Sequence, residues 1–550
     1  MTQSPAERLD AGWIDHAPTR SRAAEGRAVA ATAHPLASWA ALLMLRDGGS
    51  AVDAAIAAQM VLTAVEPNAS GIGGGALIVV ASAGAVHAID GLSSSPERVT
   101  DRLERDFDGR LVPVDRCAYG GRTVGVPGAL RALELAHRKF GRLPWARLFE
   151  PAIELATGGY PLSPYLLRTL QENPTAQTES LAQALFCGGG TLPLPAGSML
   201  RNPALAETLG MIANGGADAF YLGPIARDIC AAVAADPYPG VLTEADFAAY
   251  HAVERDPVRF AMGGFQVVGG CLPAFGATAV GQVIGIAASM GIDGIGADLS
   301  ADEIHILAEA GRLAFADRAV YGGDPDFHSV DCQALLDPDY LTSRAALIDP
   351  QRRIEGITAG EAAGGSMTSH LSIADAFGCV VSMTTTINNN FGARITVGGF
   401  YLNNVMTNFA SKPTVAGKHS SNAMAPRKRP RTSIAPCIVL DAAGQPFAAI
   451  GAGGGNRIIG YVSNALLRLA SGMRDPQAIL GCPHVLNFAG ITEIEPPLDR
   501  HTADLVARGH WMIPRRLDGG AQMVVRTATG WAAGGDPRRD GIGLGLRTAS

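Results

Sequence analysis

The stretch Thr368-Ser369-His370-Leu371-Ser372 places hydroxyl groups and an imidazole next to one another. A threonine hydroxyl is a weak nucleophile and needs an adjacent base. If the chain is cut immediately before Thr368, the freed α-amine of that residue becomes the base, so one residue supplies both the nucleophile and the proton acceptor. His370 is an alternative base, although a strand histidine with a structural role is the interpretation that we favour.

A second group suited to acyl transfer lies in residues 448–459, where an apolar strand pattern passes through a glycine-rich loop into a helix pattern. Backbone N–H groups at a helix start point towards anions, so this loop suits either a phosphate or the oxyanion of acyl transfer. The loop alone leaves both open. The glycines at 71–75 instead run from a helix into a strand, which indicates tight backbone packing rather than a nucleotide site.

The element that must position Thr368 is a β-hairpin. Residues alternate between two faces from Thr368 to Ala374, turn residues follow at 375–378, and a β-branched run at 379–386 can return beside the first strand. By itself, a threonine at the start of a strand is usually only a good β-former. The hairpin alone therefore does not establish a nucleophile.

The residues before the hairpin are helix-rich, whereas those after it are strand-rich. Helical patterns cover Ala30 to Ala64, a segment ending near Ala136, Ala204 to Ala234, and a segment that begins at Ser300. Between residues 348 and 366 the composition shifts to Arg, Gly, Ala and Ser, including Ala359-Gly360 and Gly364-Gly365. Such a segment tolerates disorder and cleavage, although an ordinary surface loop has the same composition.

The overall composition is that of a compact globular enzyme. The chain has 550 residues, of which 47% are hydrophobic and 17% charged, enough for several domains or one large two-layer body. A formal net charge of −7 argues against nucleic acid or an anionic membrane as a partner. The 8 cysteines lack C-x-x-C spacing, so we predict neither a zinc site nor a disulfide framework, and no cofactor.

The N-terminal residues carry charges where a signal peptide would need an apolar run, and no segment is apolar over the length of a membrane-spanning helix. We therefore expect a soluble, cytoplasmic protein.

Several motifs resemble the gamma-glutamyltransferase family, whose precursors cut themselves immediately before a threonine in a Thr-Thr/Ser-His-x-Ser pattern. That pattern stands here at residues 368–372. Other family-like strings occupy residues 123–130, 316–325, 388–392, 400–404, 428–436 and 534–540. The resemblance extends from about residue 28 to residue 545 and is strongest after residue 365.

The resemblance implies an α+β fold, a four-layer αββα sandwich of the N-terminal nucleophile hydrolase type. It implies a cut between Met367 and Thr368, giving a large subunit of residues 1–367 and a small subunit of residues 368–550 that stay together as one body. It assigns Thr368 as the nucleophile, Thr386 as a threonine that hydrogen-bonds it, and Gly454 and Gly455 as the oxyanion pair. From the residues alone, an ordinary strand threonine is an equally good interpretation of Thr386.

The resemblance also identifies the positions that would contact the substrate. Enzymes of the family that take gamma-glutamyl donors use charged or polar partners at several positions where this chain carries Leu92 and Val405. Each missing charge-assisted hydrogen bond is worth about 1.5–3 kcal/mol. The substrate-binding positions assigned in this way are Leu92, Asn388, Asn408, Thr432 and Ser433.

We therefore expect a self-processing acylase-like amidohydrolase that cleaves a small-molecule amide whose acyl part lacks the glutamyl head. A hydrolase or transferase acting on glutathione or other gamma-glutamyl compounds is the alternative, with the head held by residues such as Arg394 or Arg431. A third interpretation is an uncleaved precursor that acts as a binding module. The sequence is compatible with a homo-oligomer of the cleaved pair.

Overall fold

The computed structural model describes residues 5–10, 12–16, 20–99, 103, 110–113, 117–357, 366–411, 414–415, 418–488 and 490–547. These residues form a mixed α/β fold built on two large antiparallel sheets. Ala359-Gly360 and Gly364-Gly365, in the segment predicted to tolerate disorder and cleavage, lie outside the described residues.

The helices begin where the sequence offers N-caps. Ser50, Thr243 and Ser300 each form a capping box, in which the side chain accepts from the N–H three residues later and an acidic side chain there accepts in return. The helices are α1 Pro5–Leu9, α2 Pro35–Arg46, α3 Ala51–Val65, α4 Ala129–Phe140, α5 Glu150–Gly158, α6 Pro164–Glu172, α7 Ser180–Phe186, α8 Pro203–Gly215, α9 Asp218–Tyr221, α10 Pro224–Ala235, α11 Glu244–Ala249, α12 Gly276–Ser289, α13 Ala301–Tyr321, α14 Pro338–Ala345, α15 Ile458–Ala470, α16 Pro476–Gly481 and α17 Thr502–Ala507.

The strands come from both the helix-rich and the strand-rich parts of the chain. They are β1 Ile14–Asp15, β2 Ala24–Gly26, β3 Ala28–Thr32, β4 Gly75–Ser82, β5 Ala85–Gly91, β6 Tyr160–Pro161, β7 Met199–Leu200, β8 Val253–Arg255, β9 Val258–Met262, β10 Phe265–Gly269, β11 Ser366–Ala374, β12 Val380–Asn389, β13 Thr396–Val397, β14 Phe400–Tyr401, β15 Thr414–Val415, β16 Lys418–His419, β17 Cys437–Leu440, β18 Pro446–Ala452, β19 Val485–Phe488, β20 Ile491–Ile494, β21 Trp511–Pro514, β22 Ala521–Arg526, β23 Trp531–Gly535 and β24 Ile542–Leu546.

Sheet 1 has eight strands in the order β1-β24-β3-β11-β12-β4-β5-β8, and sheet 2 has seven in the order β2-β23-β22-β18-β17-β10-β9. The predicted hairpin is β11–β12, and it occupies the centre of sheet 1 with β3 on one side and β4 on the other. Strand β11 pairs with β12 on both sides of Thr368 and with β3 at residues 371–374, so the hairpin that carries Thr368 is held inside the sheet.

Three apolar clusters account for the burial of both sheets. One joins sheet 1 to α2–α5 and neighbouring helices, and a second joins sheet 2 to α12, α13 and α15. The third contains residues of both sheets, among them Val79 of β4 and Val524 of β22. Because both faces of β4 are covered, it reads as a continuous apolar run rather than as an alternating strand.

The structure corrects two local predictions. Residues 30–32, predicted to be helical, end β3, because pairing with β11 and β24 overrides the helix propensity of alanine there. The first hairpin strand begins at Ser366 rather than Thr368, so the strand continues across the predicted cut.

Within the described ranges, no helix is long and apolar enough to cross a membrane. Those ranges also contain no cluster of three or more histidine, cysteine or acidic residues that could hold a metal ion.

The hairpin turn provides a test of the fold. One oxygen of the Asp375 carboxylate accepts from the N–H groups of Phe377 and Cys379 at 2.8 and 2.9 Å, and the other accepts from Ala51 at the start of α3 at 2.9 Å. We expect Asp375→Ala to lower the free energy of unfolding by on the order of 2–4 kcal/mol, because it leaves these donors without an acceptor.

The matched control is Asp375→Asn, which keeps one acceptor oxygen for the turn and should lose less. Thermal unfolding of the three proteins measures the effect. Equal melting temperatures for the alanine and asparagine variants would contradict this account of the turn.

Candidate active site

Thr368 lies in the wall of a cavity of about 130 Å³. The wall combines the hairpin β11–β12 with two loops and the start of α15. The residues that line it are Arg318, Thr368, Thr386, Asn388, Thr407, Asn408, Phe409, Ala410, Arg431, Thr432, Ser433, Ile434, Gly455, Asn456 and Ile458. Of the residues assigned from the sequence, the structure brings together Thr368, Thr386, Asn388, Asn408, Thr432, Ser433 and Gly455.

The two threonines and the peptide before Thr368 form a short hydrogen-bonded chain. The Thr368 hydroxyl donates to Thr386 Oγ1 at 3.4 Å, and the Thr386 hydroxyl donates to the carbonyl oxygen of Met367 at 2.9 Å. Thr386 Oγ1 also accepts from the Asn388 N–H at 2.8 Å. The hydroxyl of Thr386 is therefore placed to polarise the carbonyl that the predicted cut would attack.

Thr368 sits at an irregularity in the strand pairing. Met367 pairs with Asn388, and Ser369 pairs with Thr385, so the register shifts at Thr368. Asn388 has a left-handed backbone with φ of 79°, a conformation that asparagine adopts more readily than most residues. Such bulges redirect a side chain out of the regular pleat, and here the side chain of Thr368 reaches the cavity wall.

The glycine turn after β18 packs directly on Thr368. A Cβ atom at Gly453 would lie 1.9 Å from the Thr368 carbonyl oxygen, so only glycine fits there. Gly454 and Gly455 have φ of 119° and 60°, and a helical turn at 455–457 then leads into α15. This confirms the predicted passage from strand through glycine loop to helix.

The amide N–H groups of Gly454 and Gly455 donate to no acceptor among the residues that the structure describes. Gly455 lines the same cavity as Thr368, whereas Gly454 is not among the lining residues. A free N–H group in this wall suits an oxyanion, the role that the family resemblance assigns to the glycine pair.

Further polar groups line the cavity. Asn388 Nδ2 donates to Thr407 Oγ1 at 2.9 Å, and Ser433 Oγ donates to Asn456 Oδ1 at 2.9 Å. These bonds orient neutral donors and acceptors along the wall and contribute no charge.

Two arginines supply the charge of the cavity. Arg431 Nη1 donates to the carbonyls of Arg318 and Ala319, near the C-terminal end of α13, at 3.2 and 3.1 Å. The Arg318 side chain makes no hydrogen bond or ion pair with any residue in the described part of the chain, and its Nε is buried without a partner. Burial and the neighbouring Arg431 hold the pKa of Arg318 well below its usual value.

Several residues considered from the sequence lie elsewhere. Leu92 is packed in the cluster of sheet 2, and its carbonyl accepts from Tyr250. Arg394 stacks on Tyr119, with its guanidinium carbon 3.5 Å from the ring centre. His370 is fully buried between Thr384 and Ser372, and burial lowers its pKa to about 3, which agrees with a structural role.

Sequence reasoning missed three polar residues of the wall: Arg318, Thr407 and Asn456. Arg318 stands in the family-like string 316–325 and Asn456 directly follows the glycine pair, so both adjoin motifs that were noticed. Their side chains could not be assigned to the cavity because α13 and the turn meet only in the folded chain.

A buried charge cluster holds the residues on either side of Thr368. Arg539 Nη1 donates to the Thr368 carbonyl at 3.1 Å, and Ser369 Oγ donates to the carboxyl of Glu66. Ser70 Oγ donates to Ser369 Oγ at 2.9 Å. Burial raises the pKa of Glu66 to about 7, against partial compensation by Arg539 and the Ser369 hydroxyl.

Known proteins share these features. Residues 37–546 match the family model described as gamma-glutamyltranspeptidase. The acylase ACY 1 proenzyme of Pseudomonas sp. (strain SE83) is 36% identical over 541 residues, covering 94% of each chain. The glutathione hydrolase proenzyme of Pseudomonas aeruginosa is 35% identical over 455 residues, covering 80% of this chain and 79% of that protein. The crystal structure of cephalosporin acylase from Bacillus halodurans superimposes with a TM-score of 0.83 at 29% identity, covering 96% of this chain and 97% of that one.

The buried Glu66 gives a pH prediction. The folded protein keeps this proton up to a pH of about 7, whereas a free glutamate loses it near 4.5, so stability falls as pH rises through that range. In an uncleaved Thr368→Ala background, we expect Glu66→Gln to gain on the order of 3 kcal/mol relative to its parent between pH 4 and pH 8.

Thermal unfolding across this pH range measures the difference. Glu207→Gln on the exposed surface of α8 is the control and should track the parent at every pH. If the free energies of unfolding of Glu66→Gln and its parent differed by the same amount at every pH, the raised pKa of Glu66 would be contradicted.

Proposed function

The chain belongs to the gamma-glutamyltranspeptidase family, and from that membership we propose a self-processing amidohydrolase of the N-terminal nucleophile class, an acylase with Thr368 as its nucleophile. The support is the Thr368–Thr386–Met367 hydrogen-bond chain and the glycine turn that packs on Thr368, of which Gly455 lines the same cavity. The names of the relatives that align over nearly the whole chain, an acylase proenzyme and a cephalosporin acylase, point the same way.

Self-cleavage would use the groups already in contact. The Thr368 hydroxyl attacks the Met367 carbonyl, the new C–O bond replaces the C–N bond, and the nitrogen of Thr368 takes up the proton. Water then hydrolyses the resulting ester, which releases residue 367 as a carboxylate and restores the Thr368 hydroxyl beside the α-amine that the first step freed. Thr386, which donates to the same carbonyl at 2.9 Å, stabilises the oxyanion of this step.

Amide hydrolysis would repeat this chemistry on a bound substrate. The freed amine of Thr368 takes the hydroxyl proton while Oγ1 bonds the substrate carbonyl carbon, and it then returns the proton to the leaving amine. Gly454 and Gly455 donate to the oxyanion, and water releases the acyl group from Thr368.

The observation that carries the choice of substrate is the charge of the cavity. Its wall contains Arg318 and Arg431 but, among the described residues that line it, no aspartate or glutamate. A gamma-glutamyl head has an α-ammonium as well as a carboxylate, and this ammonium would be buried beside cations without a counter-charge. An acyl group that is uncharged or carries a single negative charge fits better.

We also propose that the two sheets and their helices form a four-layer αββα sandwich. Three apolar clusters, one between the sheets and one between each sheet and its helices, support a four-layer αββα sandwich. After cleavage, fragments 1–367 and 368–550 would remain associated, because β11, β12 and β24 of the small fragment alternate with strands of the large one in sheet 1.

The first prediction of this proposal is cleavage before Thr368. We expect the purified protein to show two bands on a denaturing gel, with the smaller beginning at Thr368 by N-terminal sequencing. Thr368→Ala should stay whole because it lacks the attacking oxygen, whereas Thr368→Ser keeps a hydroxyl and should still be cut. A smaller fragment that begins elsewhere, or a cleaved alanine variant, would overturn the nucleophile assignment.

The second prediction concerns specificity. The processed enzyme should have a lower kcat/KM for a gamma-glutamyl anilide than for an anilide with the same chain length that lacks the α-ammonium, by at least about tenfold. Glutathione hydrolases are also relatives, so faster turnover of the gamma-glutamyl anilide would favour that alternative and refute the acylase assignment.

A further inference from the structure

Arg539 is a buried cation that is hydrogen-bonded to Thr368, the residue that carries the proposed nucleophile. Its Nη1 donates to the Thr368 carbonyl oxygen at 3.1 Å, and the residue is only 3% exposed. It lies in the loop between β23 and β24, far in sequence from the hairpin. Arg539 is not among the residues assigned above to the cavity wall or to the chemistry.

The guanidinium is held from several sides. Its central carbon lies 5.1 Å from the centre of the Tyr165 ring, and Nη2 donates to the Asp518 carbonyl at 3.4 Å. Arg20 donates to the Arg539 carbonyl and, at 2.8 Å, to that of Asp540. A Cβ at Gly520 would lie 2.8 Å from the guanidinium carbon, so the backbone closes over it. The cation is therefore fixed in place.

Among the described residues, no carboxylate pairs with the Arg539 guanidinium. Arg539 forms no ion pair within 4.0 Å among the residues that the structure describes, in contrast to the adjacent Arg538, which is paired with Glu495 and Asp536. The ionisable groups that most raise the pKa of Arg539 are Tyr165, Glu66, Tyr461 and Asp518. Of these, Glu66 bonds Ser369 rather than Arg539.

We propose that Arg539 is a positioning residue that holds Thr368 after cleavage and keeps its freed α-amine in the neutral, proton-accepting form. The inference rests on the proposed function, because the amine exists only if the chain is cut before Thr368. The bond to the Thr368 carbonyl is independent of the cut, so it anchors a new chain end that would otherwise fray.

The electrostatic part follows from distance. The nitrogen and carbonyl oxygen of one residue are joined by three bonds, so the amine lies no more than about 7 Å from Arg539 Nη1. At that separation and an effective dielectric constant of about 20, a fixed positive charge lowers the pKa of an ammonium by between one and two units. Thr368 is also buried, which acts in the same direction.

The consequence is chemical. An unperturbed α-amine has a pKa of about 7.7–8.0 and is mostly protonated at neutral pH. A protonated amine cannot accept the proton of the Thr368 hydroxyl when Oγ1 bonds the substrate carbonyl. Lowering its pKa raises the fraction of enzyme that is competent at neutral pH.

The test is the pH dependence of kcat/KM for an anilide substrate of the processed enzyme. In the wild-type protein the acid limb should have an apparent pKa about one unit or more below the ordinary α-amine value. An acid limb at or above about 8 in the wild-type enzyme would overturn the inference without any variant.

Substitutions at Arg539 distinguish the effect of its charge on the amine pKa from a purely structural effect. Arg539→Met should raise the acid-limb pKa by about one unit, while Arg539→Lys, which keeps the charge, should leave it within a few tenths even if the rate falls. Arg168→Met is the matched control, since Arg168 also lies over Tyr165 but is 39% exposed, and it should not move the limb.

A lower rate in Arg539→Met with an unchanged limb would show a merely structural role and refute the proposal. If Arg539→Met is folded but uncut, the wild-type and Arg539→Lys enzymes decide: acid limbs about one unit or more below the ordinary α-amine value in both support the proposal, and a limb near 8 in either refutes it. N-terminal sequencing keeps the premise separate: a fragment that does not begin at Thr368 refutes the proposed function, whereas one that does, with a limb near 8, refutes only the role of Arg539.

Discussion

The central position of the hairpin β11–β12 in sheet 1 is the constraint on which the site depends. Strand β12 is paired with β11 and β4, and β11 is paired with β12 and, over residues 371–374, with β3, so the hairpin cannot shift along the sheet without breaking these ladders. Ser372 and Ser382 extend this constraint to sheet 2, because their hydroxyls donate to the carbonyls of Gln522 and Ile450 at 3.0 Å. A register slip of one residue would reverse the faces of Thr368 and its neighbours.

Within this rigid frame, the irregularity at Thr368 is local. The bulge allows one residue to leave the pleat while Ser369 and His370 remain buried and hydrogen-bonded in it. The glycine turn after β18 and the side chain of Arg539 then close on the Thr368 carbonyl from the opposite side. Cleavage before Thr368 would therefore release one bond of a residue that is otherwise held by its carbonyl, its side chain and the paired residues that follow it.

Much of this arrangement could be predicted from the sequence, but only where the signal was local. The hairpin, the strand–glycine–helix passage and the capped helices follow from patterns within about 20 residues. Residues 30–32 were misassigned because alanine favours helices and their strand partners lie in distant parts of the chain. Arg318, Arg539 and Glu66 were missed for a similar reason, since an arginine or glutamate is usually on the surface and nothing near these residues in sequence indicates that they are buried.

The residues proposed for catalysis and the residues that give the cavity its charge lie on different elements, so substrate preference and chemistry can vary separately. The groups proposed for bond making and breaking come from the hairpin and the turn after β18, whereas the charge of the cavity comes from the end of α13 and the loop that carries Arg431. Arg431 is bonded to carbonyls near the end of α13, so the charge that it gives the cavity is set by elements outside the hairpin. One hydrolytic frame can thus serve acyl groups of different charge, which agrees with the presence of both acylases and glutathione hydrolases among the relatives of this chain.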